Sequence, residues 1–200
     1  MAIYLIRHGE TDANAARIVQ RPTVPLSARG RVQAAALARR LAAVGIVGVA
    51  SSDLNRAAET AAALATATGA VVEWDAGLQE RNYGDVRGIA YADLPEDIFG
   101  PAYAPPGGET WERFHARVDA AWERVTARAA GTPGHLAVVT HGLVCQRILA
   151  AHLDPPPGCV VGETAWGNTC VTTIDGPTWR RVGTLACMTH LATVVAGARA

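Results

Sequence analysis

The sequence predicts an α/β fold, a three-layer sandwich with a mostly parallel central sheet, helices on both faces and one antiparallel edge strand. Short apolar runs of strand length alternate with longer alanine-rich segments of helical length. Strands that alternate with helices form parallel sheets that are covered on both faces. Near the C-terminus, two runs of alternating polarity flank Asp175-Gly176, a pattern typical of a hairpin and therefore of an antiparallel strand.

Each element has its own signal in the sequence. Apolar runs predict buried strands over residues 2–6, 46–50, 71–74 and 136–140. Helical spacing, with glycines or prolines near the ends, predicts helices over residues 29–43, 54–67, 110–130 and 142–152. The hairpin strands are predicted over residues 169–174 and 179–184. No linker, repeat or low-complexity segment beyond alanine richness interrupts this series, so residues 1–200 are expected to form a single domain.

The stretch from residue 75 to 108 is less regular than the rest of the chain. It is rich in glycine and proline, and only residues 91–94 suggest a single helical turn. A long irregular segment inside a compact domain is more often functional than not. We therefore expect residues 85–108, together with residues 19–24, to face the substrate.

Composition excludes several classes of function. The 18 basic residues balance 18 acidic ones, which argues against a nucleic-acid or membrane-surface partner because those partners need a positive field. Every basic residue is an arginine, so a Schiff-base or P-loop lysine is excluded and any anion site must use arginine, histidine and backbone N–H groups. No apolar run has the length of a membrane span. Four widely spaced cysteines predict free thiols and a cytoplasmic location.

Charged and histidine side chains follow the predicted parallel strands. Because ligands of open α/β sheets collect at the carboxyl ends of the strands, these side chains are expected to meet at one edge. Each strand end contributes at least one residue suited to a phosphate: Arg7 and His8, then Arg56, then Glu80, then His141 with Gly142.

Phosphoryl transfer explains this set of residue types. Arginine forks match the oxygens of a phosphate bidentately, and N–H groups at a helix N-terminus add to them. A neutral histidine can attack phosphorus and hold the phosphoryl group. Nearby Arg7 and Arg56 would keep the pKa of such a histidine low, and Glu80 beside a phosphate would have a raised pKa suited to a general acid. Neither a metal nor another cofactor is required.

A series of motifs resembles the histidine phosphatase superfamily, in the branch that includes the cofactor-dependent phosphoglycerate mutases. The R-H-G-[ED]-[ST] signature is matched by Arg7-His8-Gly9-Glu10-Thr11. The other motifs follow in family order over residues 2 to about 168: Pro25-Leu26-Ser27, Ser51-Ser52-Asp53-Leu54-Asn55-Arg56-Ala57, Leu78-Gln79-Glu80, Gly107-Gly108-Glu109-Thr110 and Thr140-His141-Gly142. A single R-H-G would be a weak match, whereas the ordered series is specific.

The resemblance implies a role for each of these residues. His8 would be the phosphohistidine nucleophile and Glu80 the proton donor. Arg7, Arg56 and His141 would form the phosphate pocket, with Asn14 and the backbone at Gly142 as further donors. From their place on loops around the pocket, Gln20 and Tyr83 are also expected to face the substrate.

Departures from the family pattern bear on the type of reaction. Val86 and Arg87 stand where members often carry tryptophan and glutamate. The mutases hold a substrate carboxylate with a lysine and an arginine pair, whereas this chain has no lysine and no arginine between Arg87 and Arg113. A phosphatase for a small phosphomonoester is therefore favoured over a mutase. A phosphoprotein phosphatase and a non-catalytic phosphate-binding module stay as alternatives, and the segment after Gly158, with two strands and a last helix, leaves a homodimer open.

Overall fold

A computed structural model describes residues 1–94 and 97–192, which contain one six-stranded sheet. Its spatial order is β3-β2-β4-β1-β5-β6, with parallel pairing everywhere except around β5, which is antiparallel to both of its neighbours. The strands are β1 (Ile3–Arg7), β2 (Ile46–Ser51), β3 (Val71–Trp74), β4 (His135–Thr140), β5 (Val171–Asp175) and β6 (Arg181–Cys187). The predicted fold class is confirmed, with the antiparallel strand lying one position inside the edge strand β6.

The four predicted helices are present, and their ends differ from the predicted ones by at most two residues. They are α2 (Ala28–Leu41), α3 (Asn55–Thr68), α4 (Trp111–Ala130) and α5 (Gly142–His152). Ser27 and Thr110 cap α2 and α4 by accepting backbone N–H groups, and Gly69 ends α3 in the left-handed conformation. The short helix α1 (Asp12–Ala15) was not predicted from the sequence, because it has no apolar face. A capping box at Thr11 stabilises it.

The hairpin near the C-terminus begins its second strand later than predicted. The strand starts at Arg181 rather than at residue 179. Trp179 lies in the turn that connects the two strands, where its φ is 53°. The last helix expected from the sequence falls largely on residues 193–200, which lie outside the described residues.

Two apolar clusters lie on opposite faces of the sheet. Alternate residues of each strand point to opposite faces, so Leu5 joins the cluster formed with α4 and α5, whereas Ile6 joins the one formed with α2 and α3. This arrangement gives the three layers. A third, small cluster of Val19, Tyr83 and Ile98 packs the irregular segment over the carboxyl end of the sheet.

The central strands β1 and β4 form the point at which the sheet can bind a ligand. After β1 the chain passes to α2 on one face, whereas after β4 it passes to α5 on the other face. Adjacent strands that send their helices to opposite faces leave a crevice between their carboxyl ends. Arg7 at the end of β1 pairs in register with Thr140 at the end of β4, so the residues that follow both strands enter this crevice together. Within the described ranges, no helix combines the length and the apolar character needed to cross a membrane.

Candidate active site

His8 follows β1 directly and is held in one orientation. Its backbone N–H donates to the carbonyl of Thr140 at 2.9 Å, which extends the parallel ladder by one residue. The side chain is 2% exposed, and Nδ1 lies 2.6 Å from the carbonyl oxygen of Gly9. Because a carbonyl oxygen can only accept, Nδ1 carries the ring proton. The lone pair of His8 is therefore on Nε2.

His141 enters the crevice from the end of β4. Its ring centroid lies 5.1 Å from that of His8, and the residue is fully buried. Nε2 of His141 lies 2.8 Å from the hydroxyl of Ser52, which itself accepts the backbone N–H of Leu54. The Ser52 hydroxyl hydrogen is then available to Nε2, an arrangement that favours a proton on Nδ1. That Nδ1 is buried and has no hydrogen-bond partner among the described residues, so it is available to a ligand oxygen.

Arg7 and Arg56 bring two guanidinium groups to the same crevice. Arg7 donates from Nη1 to the carbonyl of Trp166, and Arg56 donates from Nη1 to the carbonyl of Arg21 at 3.3 Å. The Nε–H groups of both arginines are buried without a hydrogen-bond partner in the described part of the chain. Buried donors of this kind are costly unless a ligand pairs with them, so their position indicates an anion site.

Glu80 supplies the carboxyl group at the crevice. Its two oxygens accept the backbone N–H groups of Leu143 and Arg81, at 3.3 and 3.2 Å. The backbone just before Glu80 is held by Arg117 of α4, which donates to the carbonyls of Gly77 and Gln79, at 2.9 Å each. The peptide that carries Glu80 is thereby fixed to α4, and its carboxyl group is fixed to the start of α5.

Gly142 opens α5 beside both of these side chains. A Cβ atom at this position would lie 3.7 Å from Nε of Arg7 and 4.0 Å from Oε2 of Glu80. The N-terminus of α5 therefore points its positive dipole end toward the crevice, where the N–H of Leu143 already donates to Glu80.

Asn14 and Gln20 are oriented through their amide oxygens. Oδ1 of Asn14 accepts from the backbone of Thr11 and from the side chain of Asn168, both at 3.3 Å. Oε1 of Gln20 accepts the hydroxyl of Thr11 at 2.9 Å. Because both oxygens are occupied, each amide presents its NH₂ group to the pocket as a donor.

A single pocket of about 90 Å³ collects seven of the nine predicted residues. They are Arg7, His8, Asn14, Gln20, Arg56, Glu80 and Tyr83. The other two adjoin lining residues: His141 lies against His8, and Gly142 lies against Arg7 and Glu80. The Tyr83 hydroxyl is buried without a partner among the described residues, and burial raises the pKa of this phenol so that it stays a hydrogen-bond donor.

Burial and neighbouring charges set the protonation of the ionisable groups. Burial, reinforced by Arg56 and Arg7, holds the pKa of His8 well below its usual range, and the same causes lower the pKa of His141. Both imidazoles are therefore neutral at pH 7. Burial raises the pKa of Glu80, with Arg56 opposing the shift, and burial lowers the pKa of Arg56 to about 10. The site thus combines a neutral histidine with a carboxyl group that retains its proton to higher pH.

Comparison with known proteins agrees with this geometry. Residues 3–183 match the family model of the histidine phosphatase superfamily, branch 1. The chain belongs to this superfamily. The resemblance seen in the motifs is thereby confirmed, and family members include both phosphatases and mutases.

The names of individual relatives include both a phosphatase and a mutase-like protein. The phosphoglycerate mutase-like protein 4 of Arabidopsis thaliana is 36% identical over 160 residues, which cover 73% of this chain and 68% of the relative. Among solved structures, YhfR of Bacillus stearothermophilus is 29% identical with a TM-score of 0.83, covering 95% of this chain and 98% of the other. A mycobacterial glucosyl-3-phosphoglycerate phosphatase complexed with VO₃ is also 29% identical, with a TM-score of 0.79 over 93% and 99%.

Several further residues of the candidate site were not assigned a catalytic or binding role from the sequence. Ser52, Arg81, Arg87, Arg117 and Asn168 all contact the predicted residues or line the pocket. Ser52 lies inside a recognised motif but was not given a role. Arg87 falls within residues 85–108, the stretch expected to face the substrate. Arg81, Arg117 and Asn168 carry no local signal, because their importance depends on contacts with distant parts of the chain.

Proposed function

We propose that this protein is a phosphatase that hydrolyses a small phosphomonoester through a phosphohistidine at His8. The observation that carries the proposal is the contact between Nδ1 of His8 and the carbonyl of Gly9, which leaves Nε2 as a nucleophile beside two guanidinium groups with unpaired donors. The neutral state of His8 supports it, because a protonated imidazole cannot attack phosphorus.

In the first step, Nε2 of His8 forms a bond to phosphorus as the bond between phosphorus and the ester oxygen breaks. The leaving alkoxide takes the proton of the Glu80 carboxyl and departs as an alcohol. Arg7, Arg56 and the Nδ1–H of His141 donate to the three equatorial oxygens, on which charge is concentrated in the transition state. The positive charge that forms on the phosphorylated ring is stabilised by the carbonyl of Gly9.

In the second step, water attacks phosphorus and the bond between phosphorus and Nε2 breaks. The Glu80 carboxylate accepts a proton from the attacking water and so regains its initial state. Inorganic phosphate leaves, and His8 returns to the neutral form with its proton on Nδ1. None of these steps requires a metal ion or another cofactor.

A small substrate suits the pocket better than a phosphoprotein. The volume of about 90 Å³ corresponds to roughly three water molecules, enough for a phosphoryl group with a short extension. We place the activity in the cytoplasm, where the four cysteines would stay reduced as free thiols. The proposal involves no nucleic-acid or membrane partner, and it leaves the homodimer as a prediction.

The test is phosphate release from a panel of phosphomonoesters, including an aryl phosphate, by the wild type and by His8→Ala with EDTA present. We expect release by the wild type and a loss of at least about 10⁴-fold in His8→Ala, because removing a nucleophile removes the covalent route. His115→Ala, a change of the half-buried histidine on α4, serves as the matched control and should retain activity.

The mutase is the second candidate, favoured by the Arabidopsis relative that is named mutase-like. A mutase would interconvert phosphoglycerates in the presence of a bisphosphate primer and would release little phosphate. Isomerisation without release would therefore replace the proposal, and turnover that persists in His8→Ala would contradict both candidates.

A further inference from the structure

The pocket carries more positive charge than a single phosphoryl group requires. Its charged lining consists of four arginines and one glutamate, although the chain as a whole has no net charge. Arg7 and Arg56 are already assigned to the phosphoryl group. The remaining arginines are Arg81 and Arg87, and they have very different surroundings.

Arg81 is paired entirely within the protein. It is 2% exposed, and its guanidinium donates to the carbonyls of Glu109, Ile98 and Tyr103 at 3.0, 3.2 and 2.6 Å. The same group lies 3.8 Å from the ring centroid of Trp111. Because its donors are used by backbone carbonyls and its charge lies against an aromatic ring, Arg81 is a structural residue rather than a ligand for an anion.

Arg87 has no such partners. Its side chain lines the pocket and is half-buried, and it makes no hydrogen bond or ion pair with any described residue. It is close enough to Arg56 to lower the pKa of that guanidinium further. The carboxylate of Glu109 acts in the opposite direction on the pKa of Arg87, but Glu109 is already paired with Arg117 at 2.8 Å. The half-buried guanidinium of Arg87, near like charges, therefore favours a bound anion.

Arg21 adds a second unpaired guanidinium next to Arg87. Its Nη2 lies 2.8 Å from the position that a Cβ atom on Gly88 would occupy, so it packs directly over the residue that follows Arg87. Arg21 is exposed, and its side chain also lacks an ion pair within the described ranges. The two side chains are near enough for Arg21 to lower the pKa of Arg87, in addition to the effect of burial.

The backbone holds both arginines in a fixed relation to the phosphoryl site. The N–H of Gly88 donates to the carbonyl of Val19 at 2.7 Å, and the N–H of Val19 donates to the carbonyl of Ile89 at 2.9 Å. The carbonyl of Arg21 accepts from Arg56, which is itself assigned to the phosphoryl group. Arg56 and Arg87 line the pocket, and Arg21 adjoins both of them, so the three arginines belong to one connected framework.

We propose that Arg87 and Arg21 form a second anion subsite, so that the preferred substrate carries a carboxylate or second phosphate close to the phosphoryl group. Planar arginine forks bind either group bidentately. The subsite differs from the lysine and arginine pair that hold the carboxylate in the mutases, because this chain lacks those residues. The inference rests on the proposed phosphatase function and names the class of substrate for that site.

The test compares two pairs of phosphoesters that differ only in the second anion. The probes are 3-phosphoglycerate against glycerol 3-phosphate, and fructose 1,6-bisphosphate against fructose 6-phosphate. Values of kcat/KM are measured for the full chain and for Arg87→Gln, Arg87→Lys and Arg21→Gln. The matched control is Arg39→Gln, which changes an exposed arginine of α2 that makes no hydrogen bond or ion pair with a described residue.

We expect the wild type to prefer at least one doubly anionic probe over its partner. Arg87→Gln should lower kcat/KM for that probe by roughly 10-fold or more, the typical effect of losing a hydrogen bond to a charged group. The singly anionic partner should change less than about 3-fold, and Arg87→Lys should recover part of the loss. An equal loss on both members of a pair would overturn the subsite, since Arg87 would then act on the phosphoryl group itself. An absence of any loss would also overturn it.

If the protein is not a phosphatase, the experiment gives a different result from the one expected if only the subsite is wrong. If the wild type releases no phosphate from any probe, calorimetric titration of the wild type and Arg87→Gln with 3-phosphoglycerate and glycerol 3-phosphate still tests the subsite. Tighter binding of 3-phosphoglycerate that is lost in Arg87→Gln would support the subsite and contradict only the catalytic proposal. Equal binding of the two probes to the wild type would contradict the subsite.

Discussion

Two regions of the site are built in different ways. The strand-end region, comprising Arg7, His8, Ser52, Arg56 and His141, is fixed by the sheet and by the first turns of helices. The cover segment, residues 80–94 and 97–109, has no strand and only short 3₁₀ turns. The backbone of Ser52 donates to the carbonyl of Val139 at 3.0 Å, as that of His8 does to Thr140. The cover segment is instead held by side chains: Arg81 donates to three of its backbone carbonyls, and Arg117 of α4 pairs with the carboxylate of Glu109 at 2.8 Å.

The two regions are therefore expected to have different roles: the strand-end region in the chemical steps, and the cover segment in the choice of substrate. Groups that must be placed accurately for attack on phosphorus lie on rigid elements, where the ladder fixes the backbone. Groups that face the rest of the substrate lie on an irregular segment, which tolerates changes such as Val86 and Arg87 without disturbing the sheet. Substitutions in the two regions should therefore have different kinds of effect on activity, and three variants test this comparison.

Glu80 joins the two regions, and its loss should have the largest effect of the three. Glu80→Gln removes the proposed proton donor but keeps the shape of the side chain, so we expect kcat for an alkyl phosphate to fall by about 10²–10⁴-fold. An aryl phosphate should suffer less, because its leaving oxygen needs the proton less. Measured losses that are equal for both leaving groups would contradict the role of general acid.

The pH dependence of wild-type activity also tests whether Glu80 acts as the general acid. Burial raises the pKa of Glu80, so the protonated form persists above the usual range of a carboxyl group. The rate for an alkyl phosphate should fall as pH rises through this raised pKa, and Glu80→Gln should abolish that limb. His8 has a lowered pKa and stays neutral below pH 6.5, so the acid side should not decline at the usual pKa of histidine.

Arg81 tests whether the cover segment is held as a unit. Arg81→Met keeps the length but removes every donor, so three carbonyls lose their partner. We expect unfolding to become easier by about 2–4 kcal/mol, together with faster proteolysis within residues 97–109. KM should rise more than kcat falls, because the strand-end region is untouched. Arg113→Met, a change of an exposed arginine near the start of α4, is the control. An unchanged KM would show that the cover segment does not depend on Arg81.

Ser52 should have the smallest effect, although it lies in the strand-end region. Ser52→Ala removes the hydroxyl that orients His141, and we expect kcat to fall about 10-fold with little change in KM, since the ring can adopt the other tautomer. Ser51→Ala is the matched control, because the Ser51 hydroxyl donates only to the adjacent carbonyl of Ser52, at 2.9 Å. A pH profile that shifts in Ser52→Ala but not in Ser51→Ala separates positioning from mere packing. Equal effects of the two variants would contradict the positioning role.

The strand-end region was predictable because its signals are local. Apolar runs mark the strands, and the residues that follow them need no knowledge of distant contacts. Asn14, Gln20 and Tyr83 were also placed on the pocket, although α1, which presents Asn14, was not expected. The start of β6 was predicted too early, since Trp179 belongs to the connection between the strands.

The roles of residues in the cover segment could not be predicted from local sequence patterns. Arg81 and Arg87 are the same residue type on the same irregular segment. The sequence places only Arg87 in the stretch expected to face the substrate, and it gives no sign that Arg81 is a structural residue. Contacts with Glu109, Ile98, Tyr103 and Trp111 make Arg81 structural, whereas the lack of contacts among described residues leaves Arg87 to the pocket.

By itself, the sequence determined the layered fold and most of the residues that line the pocket, because hydrophobic period and strand-end position are properties of short stretches. The tertiary structure decided the protonation and orientation of those groups. His141 is oriented by Ser52, 89 residues away, and the low pKa of His8 follows from burial beside Arg56 and Arg7. Desolvation, hydrogen bonding and charge act through space, so they become defined only when the strand ends and the cover segment are brought together.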